Sequence, residues 1–229
     1  MIRRPAPISM KRDAVHNTVK NISRLSAKSR TLLVCGNSAS LNEMPFEEIN
    51  RFYVIGTNRL LEHPTINTSI LLTADTSVFD EQYANMMKKQ VICVTTDSIV
   101  MRRYDKIREL QNIFWFSPTA RIDDSFIGGN LYKTNNSGGY ALCLAARLLQ
   151  KNGTIGVLGM DFTWGTGASH FFGDGKEKGC RAAYRTTIPA LQQYVEYLKK
   201  HKNIKVVNLS PWKGPLDAFM PRKEIESIS

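Results

Sequence analysis

What the sequence lacks narrows it first. It contains no Gly-x-x-x-x-Gly-Lys-[Ser/Thr] and no Gly-x-Gly-x-x-Gly, so the P-loop and dinucleotide-fingerprint readings lose their main support. No Gly-x-Ser-x-Gly elbow is present, which leaves a Ser/His/Asp hydrolase poorly supported. The four cysteines (Cys35, Cys93, Cys143, Cys180) are scattered and form no Cys-x-x-Cys pair. Cys35 and Cys93 sit in or beside apolar runs and read as buried free thiols, which points to a reducing, cytoplasmic compartment. No stretch approaches the roughly 18–20 apolar residues of a membrane span. The N-terminus, MIRRPAPISMKRDAVHN, is basic but lacks the apolar core of a secretory signal.

Acidic residues are scarce at one end. Residues 1–30 carry eight Lys/Arg against a single acid, Asp13, whereas the other residues carry 23 against 19. Much of the net charge of +11 therefore belongs to an N-terminal arm. Such an arm can bind nucleic acid or another anionic surface, and it reads equally as a solvated tail. Val15, Val19, Ile22 and Leu25 recur at helical spacing within it, so a short helix is expected there. The expected division is a basic, partly helical arm over 1–30 and one nucleotide-binding domain over 31–229.

Beyond the arm, short apolar runs alternate with helical patterns. TLLVC, FYVIGT, SILLTA, QVICVTT, NIFWFS, TIGVLG and IKVVNLS read as strands. Helical patterns cover residues 79–89, 98–111, 137–150 and 181–202, with Pro189 expected to kink or split the last. Continuous apolar strands alternating with helices predict an α/β, Rossmann-like fold, mostly parallel, with helices on both faces. Two long connections, 117–136 and 160–180, read as functional or mobile.

Ligands in open parallel sheets bind beyond the carboxyl ends of the strands. Small and amide-bearing residues concentrate there: Gly36-Asn37-Ser38, Asn58-Arg59, Asp75-Thr76, Asp97-Ser98, Asn135 to Gly139, and Asp161-Phe162. Gly36 permits a tight turn with backbone N–H groups close to an anion, and Asn37 supplies both a donor and an acceptor. Ser137 reads as the N-cap of a helix whose start, with Gly138 and Gly139, offers N–H groups and a partial positive charge to a phosphate. The same glycines also suit close helix–sheet packing. Asp161 ends a buried strand, where a carboxylate is costly without partners. Of the four histidines, His170, in a glycine-flanked loop, has the best claim to chemistry; His16, His63 and His201 read as surface residues. Asp123-Asp124 reads as solvated rather than as a metal pair.

Four of these segments, in order, carry a family resemblance. GNSASL, GTN, NSGGYALCLAARLL and GVLGMDF resemble the bacterial sialyltransferase family that uses CMP-sialic acid. That family shows G-N-G-P-S-L, C-N, S-G before an alanine-rich helix, and G-x-D-F. The succession is also similar to a related domain-of-unknown-function family that includes 6-hydroxymethylpterin diphosphokinases and motility-associated glycosyltransferase-like proteins. The ending VVNLSPWKGPLDAFMPRKEI resembles these relatives too, so the likeness spans residues 31 to about 225.

The resemblance implies a glycosyltransferase-like enzyme that uses a nucleotide-activated sugar by direct displacement. Gly36, Asn37, Ser38, Asn58, Ser137 and Gly138 would hold the nucleotide, and Asp161 and Phe162 its ribose and base region. No metal or cofactor is required by that family, and relatives of this kind commonly form homo-oligomers. His170 would act as the base together with Asp161 as a catalytic group, and Trp164 and Asp75 would contact the leaving group or acceptor. Ser38-Ala39 stands where the family has Gly-Pro, Thr163-Trp164 where it has tyrosines, and His170 closer to Asp-Phe than the family's base. The acceptor is open between a glycan and a hydroxylated nucleic-acid base, the latter suggested by the arm together with Arg102, Arg103 and Arg108. The alternatives are a Mg²⁺-dependent diphosphokinase using Asp75, Asp161 and Asp174, and a module that binds nucleotide or nucleic acid without catalysis.

Overall fold

The computed structural model describes residues 30–122, 129–149, 151–162 and 180–228, with side chains of the last segment described from residue 185 onward. The arm, Asp123-Asp124, Thr163, Trp164, His170 and Asp174 lie outside the described residues.

The expected α/β architecture is what the structure has. Eight strands form a parallel sheet: β1 (Thr31–Cys35), β2 (Tyr53–Thr57), β3 (Ile70–Thr73), β4 (Ile92–Thr96), β5 (Ile113–Thr119), β6 (Asn130–Tyr132), β7 (Gly153–Leu158) and β8 (Ile204–Asn208). Their spatial order is β6-β5-β4-β3-β2-β1-β7-β8. The helices are α1 (Phe46–Ile49), α2 (Thr76–Lys89), α3 (Asp97–Arg102), α4 (Tyr104–Ile107), α5 (Ser137–Leu149) and α6 (Cys180–Lys202). Short 3₁₀ turns lie at Ala39–Glu43, Leu60–Glu62, Pro215–Ala218 and Ile225–Ile228.

The chain moves outward from β1 to β6 and then returns to place β7 on the other side of β1. Parallel crossovers are right-handed, so reversing direction sends the connecting helices to the opposite face. The core reflects this. Leu32, Val34, Ile55, Leu72, Ile155 and Val157 pack with α5 and α6 residues such as Leu142, Ala145, Leu191 and Leu198. Leu33, Cys35, Val54, Leu158 and Val207 face the other way, onto Leu41, Ile49 and Ile225. Further out, Leu71, Cys93 and Ile113 meet Phe79 and Met86 of α2 and Ile99 and Ile107 of α3 and α4. Because central strands are covered on both faces, they read as continuous apolar runs rather than as alternation. Cys35, Cys93 and Cys143 are buried free thiols, as expected for the first two. Burial alone pushes the Cys93 thiol up to about 12.

The structure corrects several local expectations. His63, expected at the surface, is 3% exposed, and its Nδ1 is within reach of the Thr65 and Ile66 N–H groups. The helix expected over 98–111 is two short helices, interrupted where Arg103 leaves helical geometry (φ −125°, ψ 31°). Pro189 does not split α6, which continues through it from Cys180 to Lys202. The connection 117–136 contains β6, three residues long and paired with Ser117–Thr119. Among the described residues no helix is long and apolar enough to cross a membrane.

The break at Arg103 has a compensating contact. Its guanidinium donates to both oxygens of Asp80 on α2 at 2.6–2.8 Å, and Lys106 donates to Asp80 at 2.7 Å. The expected basic surface through Arg102, Arg103 and Arg108 therefore has its middle residue committed to an ion pair. Hydrogen bonds from Arg103 and Lys106 hold the Asp80 carboxyl down to about 2. The stability this pair supplies is present above the ordinary carboxylate value and is lost as pH falls through about 2. Asp80→Asn is expected to flatten the acid limb of a stability-versus-pH curve between about pH 4 and pH 2, leaving the neutral limb parallel to wild type. Acid-induced unfolding followed by circular dichroism reads this directly.

Candidate functional site

Strands β1 and β7 are adjacent, yet the chain leaves them in opposite directions. Such a reversal opens a crevice beyond the strand ends. Here the two strand ends are locked together first. The Gly36 N–H donates to Leu158 O at 2.8 Å and the Ser38 N–H to Gly159 O at 2.9 Å. A Cβ on Gly36 would lie 2.0 Å from the Gly159 carbonyl oxygen and 2.7 Å from Met160 Cγ. A Cβ on Gly138 would lie 2.6 Å from Met160 Cε. Met160 thus fits between the two glycines, and their missing side chains are explained by packing. Of the amides in the β1 turn, Gly36 and Ser38 are committed to β7, so an anion would meet those of Asn37, Ala39 and Ser40.

The start of α5 differs from the expected cap. Asn136, not Ser137, caps it: its Oδ1 accepts the Gly139 N–H at 2.7 Å. Ser137 Oγ instead accepts the Ala74 N–H at 3.0 Å and ties α5 to the end of β3. Asp75 is occupied as the N-cap of α2, accepting from Ser77 N–H at 2.8 Å and Val78 N–H at 3.4 Å. Asn58 accepts from Thr73 Oγ1 at 3.3 Å through its Oδ1. Asn37 Nδ2 donates to Thr57 Oγ1 at 3.4 Å, which fixes the amide so that Oδ1 is buried with no protein partner.

Asp161 is the centre of the arrangement. It is 3% exposed. Its N–H donates to Ser38 Oγ at 3.0 Å, and its Oδ1 accepts from Ser210 Oγ, 49 residues away. Ser210 Oγ in turn accepts the Trp212 N–H at 3.2 Å, so its own proton is directed at the carboxylate. The Ser210 N–H is held by Asn208 Oδ1 at 3.1 Å and its carbonyl by Arg222. Asp217 closes the frame, accepting from Asn208 Nδ2 at 2.7 Å and from Arg222 at 3.4 Å. Burial raises the Asp161 pKa, while Ser210, Ser40 and Arg222 oppose that rise. Ser40 stands near enough to exert this effect without meeting hydrogen-bond geometry. Asp161 Oδ2 and Ser40 Oγ, like Asn37 Oδ1, are buried and make no protein hydrogen bond.

Backbone strain collects at the same edge. Asn58 (φ 52°), Asn135 (φ 62°) and Phe162 (φ 54°) all adopt left-handed conformations. Asparagine tolerates this region, but a buried phenylalanine does so only when its surroundings over-determine it, at about 1–3 kcal/mol.

The structure thus brings Gly36, Asn37, Ser38, Asn58, Ser137, Gly138, Asp161 and Phe162 to one edge of the sheet. Ser40 and Ser210 were not singled out from sequence. The signal for Ser40 was its place in GNSAS; for Ser210 it was the NLS segment ending the last strand.

No family model matches the sequence, and no curated protein matches it. Two solved structures share the fold. One is the sialyltransferase CST-II in complex with a trisaccharide acceptor and CMP, with TM-score 0.53, 18% identity, and 84% of this chain and 85% of that chain covered. Another is the sialyltransferase CstII from Campylobacter jejuni in complex with the substrate analogue CMP-3FNeuAc, with TM-score 0.52, 19% identity and 84% of each chain covered. At these identities the likeness is one of fold, and this chain has a sialyltransferase-like fold.

Asp161 makes the site testable without a ligand. Its folded pKa is raised, so the unfolded chain loses its proton first and stability falls as pH rises from the ordinary carboxylate value to the raised one. Asp161→Asn is expected to remove that fall, so its melting curve gains on wild type as pH rises above the ordinary carboxylate value of about 4. Ser210→Ala removes the directed donor; it should cost about 1–3 kcal/mol and carry the wild-type fall to higher pH. Thermal melts of the three proteins across that range check both outcomes.

Proposed function

We propose that the chain is a glycosyltransferase-like enzyme that takes a sugar from a nucleotide-activated donor by direct displacement. The observation that carries this reading is a pair of buried, unpartnered acceptors at the β1/β7 crevice, Asp161 Oδ2 and Asn37 Oδ1, with the buried Ser40 hydroxyl beside them. Buried acceptors without partners are costly, and ligand hydroxyl and amino groups would relieve that cost. A ribose and a base edge supply such donors. The Ser137 and Gly138 amides at the start of α5 suit the phosphate, where the helix dipole favours negative charge. The shared fold with a sialyltransferase structure in complex with CMP supports the nucleotide-donor reading.

In the proposed reaction an acceptor oxygen, from a glycan or a hydroxylated base, attacks the anomeric carbon. The bond from that carbon to the phosphate oxygen breaks, and the nucleotide departs with the electron pair. The acceptor proton passes to a base, for which His170 is the proposed residue. Trp164 would donate to the departing phosphate. Asp161, held in place by Ser210, would orient the ribose, while Phe162 would fix the backbone beside the base. Asp75, as a helix cap, would act only through the position of α2.

A thermal-shift panel of CMP, UMP, GMP, AMP and ATP, each with and without Mg²⁺, tests the reading. One nucleotide is expected to stabilise the protein without metal, by about 2.7 kcal/mol at 100 times its dissociation constant. Asp161→Ala is expected to lose that shift while remaining folded. Stabilisation by ATP with Mg²⁺ alone would instead support the diphosphokinase, and no shift with any nucleotide would contradict a nucleotide-binding crevice.

A further inference from the structure

The opposite edge of the sheet has a different character. At the amino ends of the three neighbouring strands β1, β7 and β8, three segments are joined by two backbone hydrogen bonds and one between side chains. Thr154 N–H donates to Arg30 O at 2.8 Å, Asn152 N–H to Lys202 O at 3.1 Å, and Asn203 Nδ2 to Asn152 Oδ1 at 2.9 Å. These contacts gather Arg30, Lys151, Lys199, Lys200, Lys202 and Lys205 along one border. All but Lys202 are exposed. The segments that carry the five lysines, 147–154 and 197–205, contain no Asp or Glu. No ion pair among the described residues engages Arg30, Lys151, Lys199, Lys200 or Lys205.

Simpler physical roles account for part of this. Lysines in the last turn of α6 complement the helix dipole. A lysine on the outermost strand, as Lys205 is, discourages edge-to-edge association. Neither explains Arg30 and Lys151, which lie in connections before β1 and β7, nor why both fall beside the other four. Residues 1–29 also join the domain here, through Arg30, and carry seven more Lys/Arg against Asp13.

We propose that this border, at the amino ends of β1, β7 and β8, is a binding surface for the phosphate backbone of a nucleic acid. Its chemistry fits a phosphodiester polymer: exposed point charges, flanked by the amides of Asn152 and Asn203, along an edge three strands wide. A lipid surface fits it less well, because stable membrane attachment combines basic residues with apolar anchors. The exposed large hydrophobics among the described residues, Met87 and Met101, belong to α2 and α3, whose partners pack on the sheet face away from α6. Contacts of this type are independent of sequence and sensitive to salt. The border lies at the strand ends remote from the crevice, so the surface tethers the protein to a polymer rather than feeding that segment into the same copy's crevice. The inference does not rest on the reading of the crevice.

Fluorescence anisotropy of a labelled duplex DNA with the full-length protein, from about 50 to 200 mM salt, tests it. Wild type is expected to bind at the low end, with affinity falling steeply as salt rises. The triple variant K199E/K200E/K205E should bind more weakly, with the salt slope reduced by about 2–3, near one per lost phosphate contact. K199Q/K200Q/K205Q, which removes charge without reversing it, should show the same direction and serves if the first variant fails to fold. Either variant should keep any nucleotide-induced thermal shift of wild type, which separates this result from the fate of the crevice. Absence of duplex binding at low salt, an unchanged slope in the glutamine variant, or binding to phosphatidylserine vesicles but not to DNA would overturn the proposal.

Discussion

The contact on which the site depends is the close approach of two backbones where β1 and β7 end. Gly36 and Gly159 stand so near that a single Cβ on Gly36 would overlap the Gly159 carbonyl. Two further hydrogen bonds continue the β1/β7 pairing past the last ladder residues. This contact occurs at the place where the chain reverses its direction across the sheet, with α5 and α6 on one face and α1 to α4 on the other. The two loops are clamped at their roots and tied again by the Asp161 N–H to Ser38 Oγ bond at 3.0 Å. Asn37, Ser38 and Ser40 are carried by one loop and Asp161 and Phe162 by the other, so the spacing between these groups is set by backbone rather than by side-chain rotamers.

That rigidity makes a buried carboxylate tolerable. Removing an ionised group from water costs several kcal/mol unless it is paired or hydrogen-bonded. Asp161 receives its compensation from the far end of the sequence, through Ser210, whose orientation is fixed in turn by Trp212, Asn208 and Arg222. Compensation is incomplete, since the pKa remains raised and one carboxylate oxygen is unpartnered. A fold optimised for stability alone would place an apolar residue there. The remaining cost, together with the strained backbone of Phe162, is what a function-bearing site characteristically retains.

The central strands were legible because burial on both faces writes itself as an apolar run, as in TLLVC and TIGVLG. The glycine- and asparagine-rich ends of those runs lie together at the carboxyl edge of the sheet, as their place after the strands implied. What escaped the sequence depended on distant partners or on very short elements. β6 is three residues long and has no readable period. The helix over 98–111 is broken at Arg103, whose compensating contact, Asp80, lies 23 residues away. Ser137 looked like a cap by its residue type, yet Asn136 does the capping because Ser137 is drawn to Ala74. Ser210 could be linked to Asp161 only through the adjacency of β7 and β8. The positions of GNSAS and NSGG were visible, but the reason for their glycines, the packing of Met160, was not.

The molecule therefore presents two edges of opposite chemistry: acceptors and strained backbone at the carboxyl ends of the strands, exposed cations at the amino ends. The central claim concerns the first. Backbone amide NMR of isotopically labelled protein titrated with CMP tests it most directly, since each amide reports its own surroundings. The account predicts the largest shift changes at Asn37, Ser40, Ser137, Gly138 and Phe162, with Arg30 and Lys205 unmoved. Changes confined to the amino-end border, or none at saturating CMP, would contradict it.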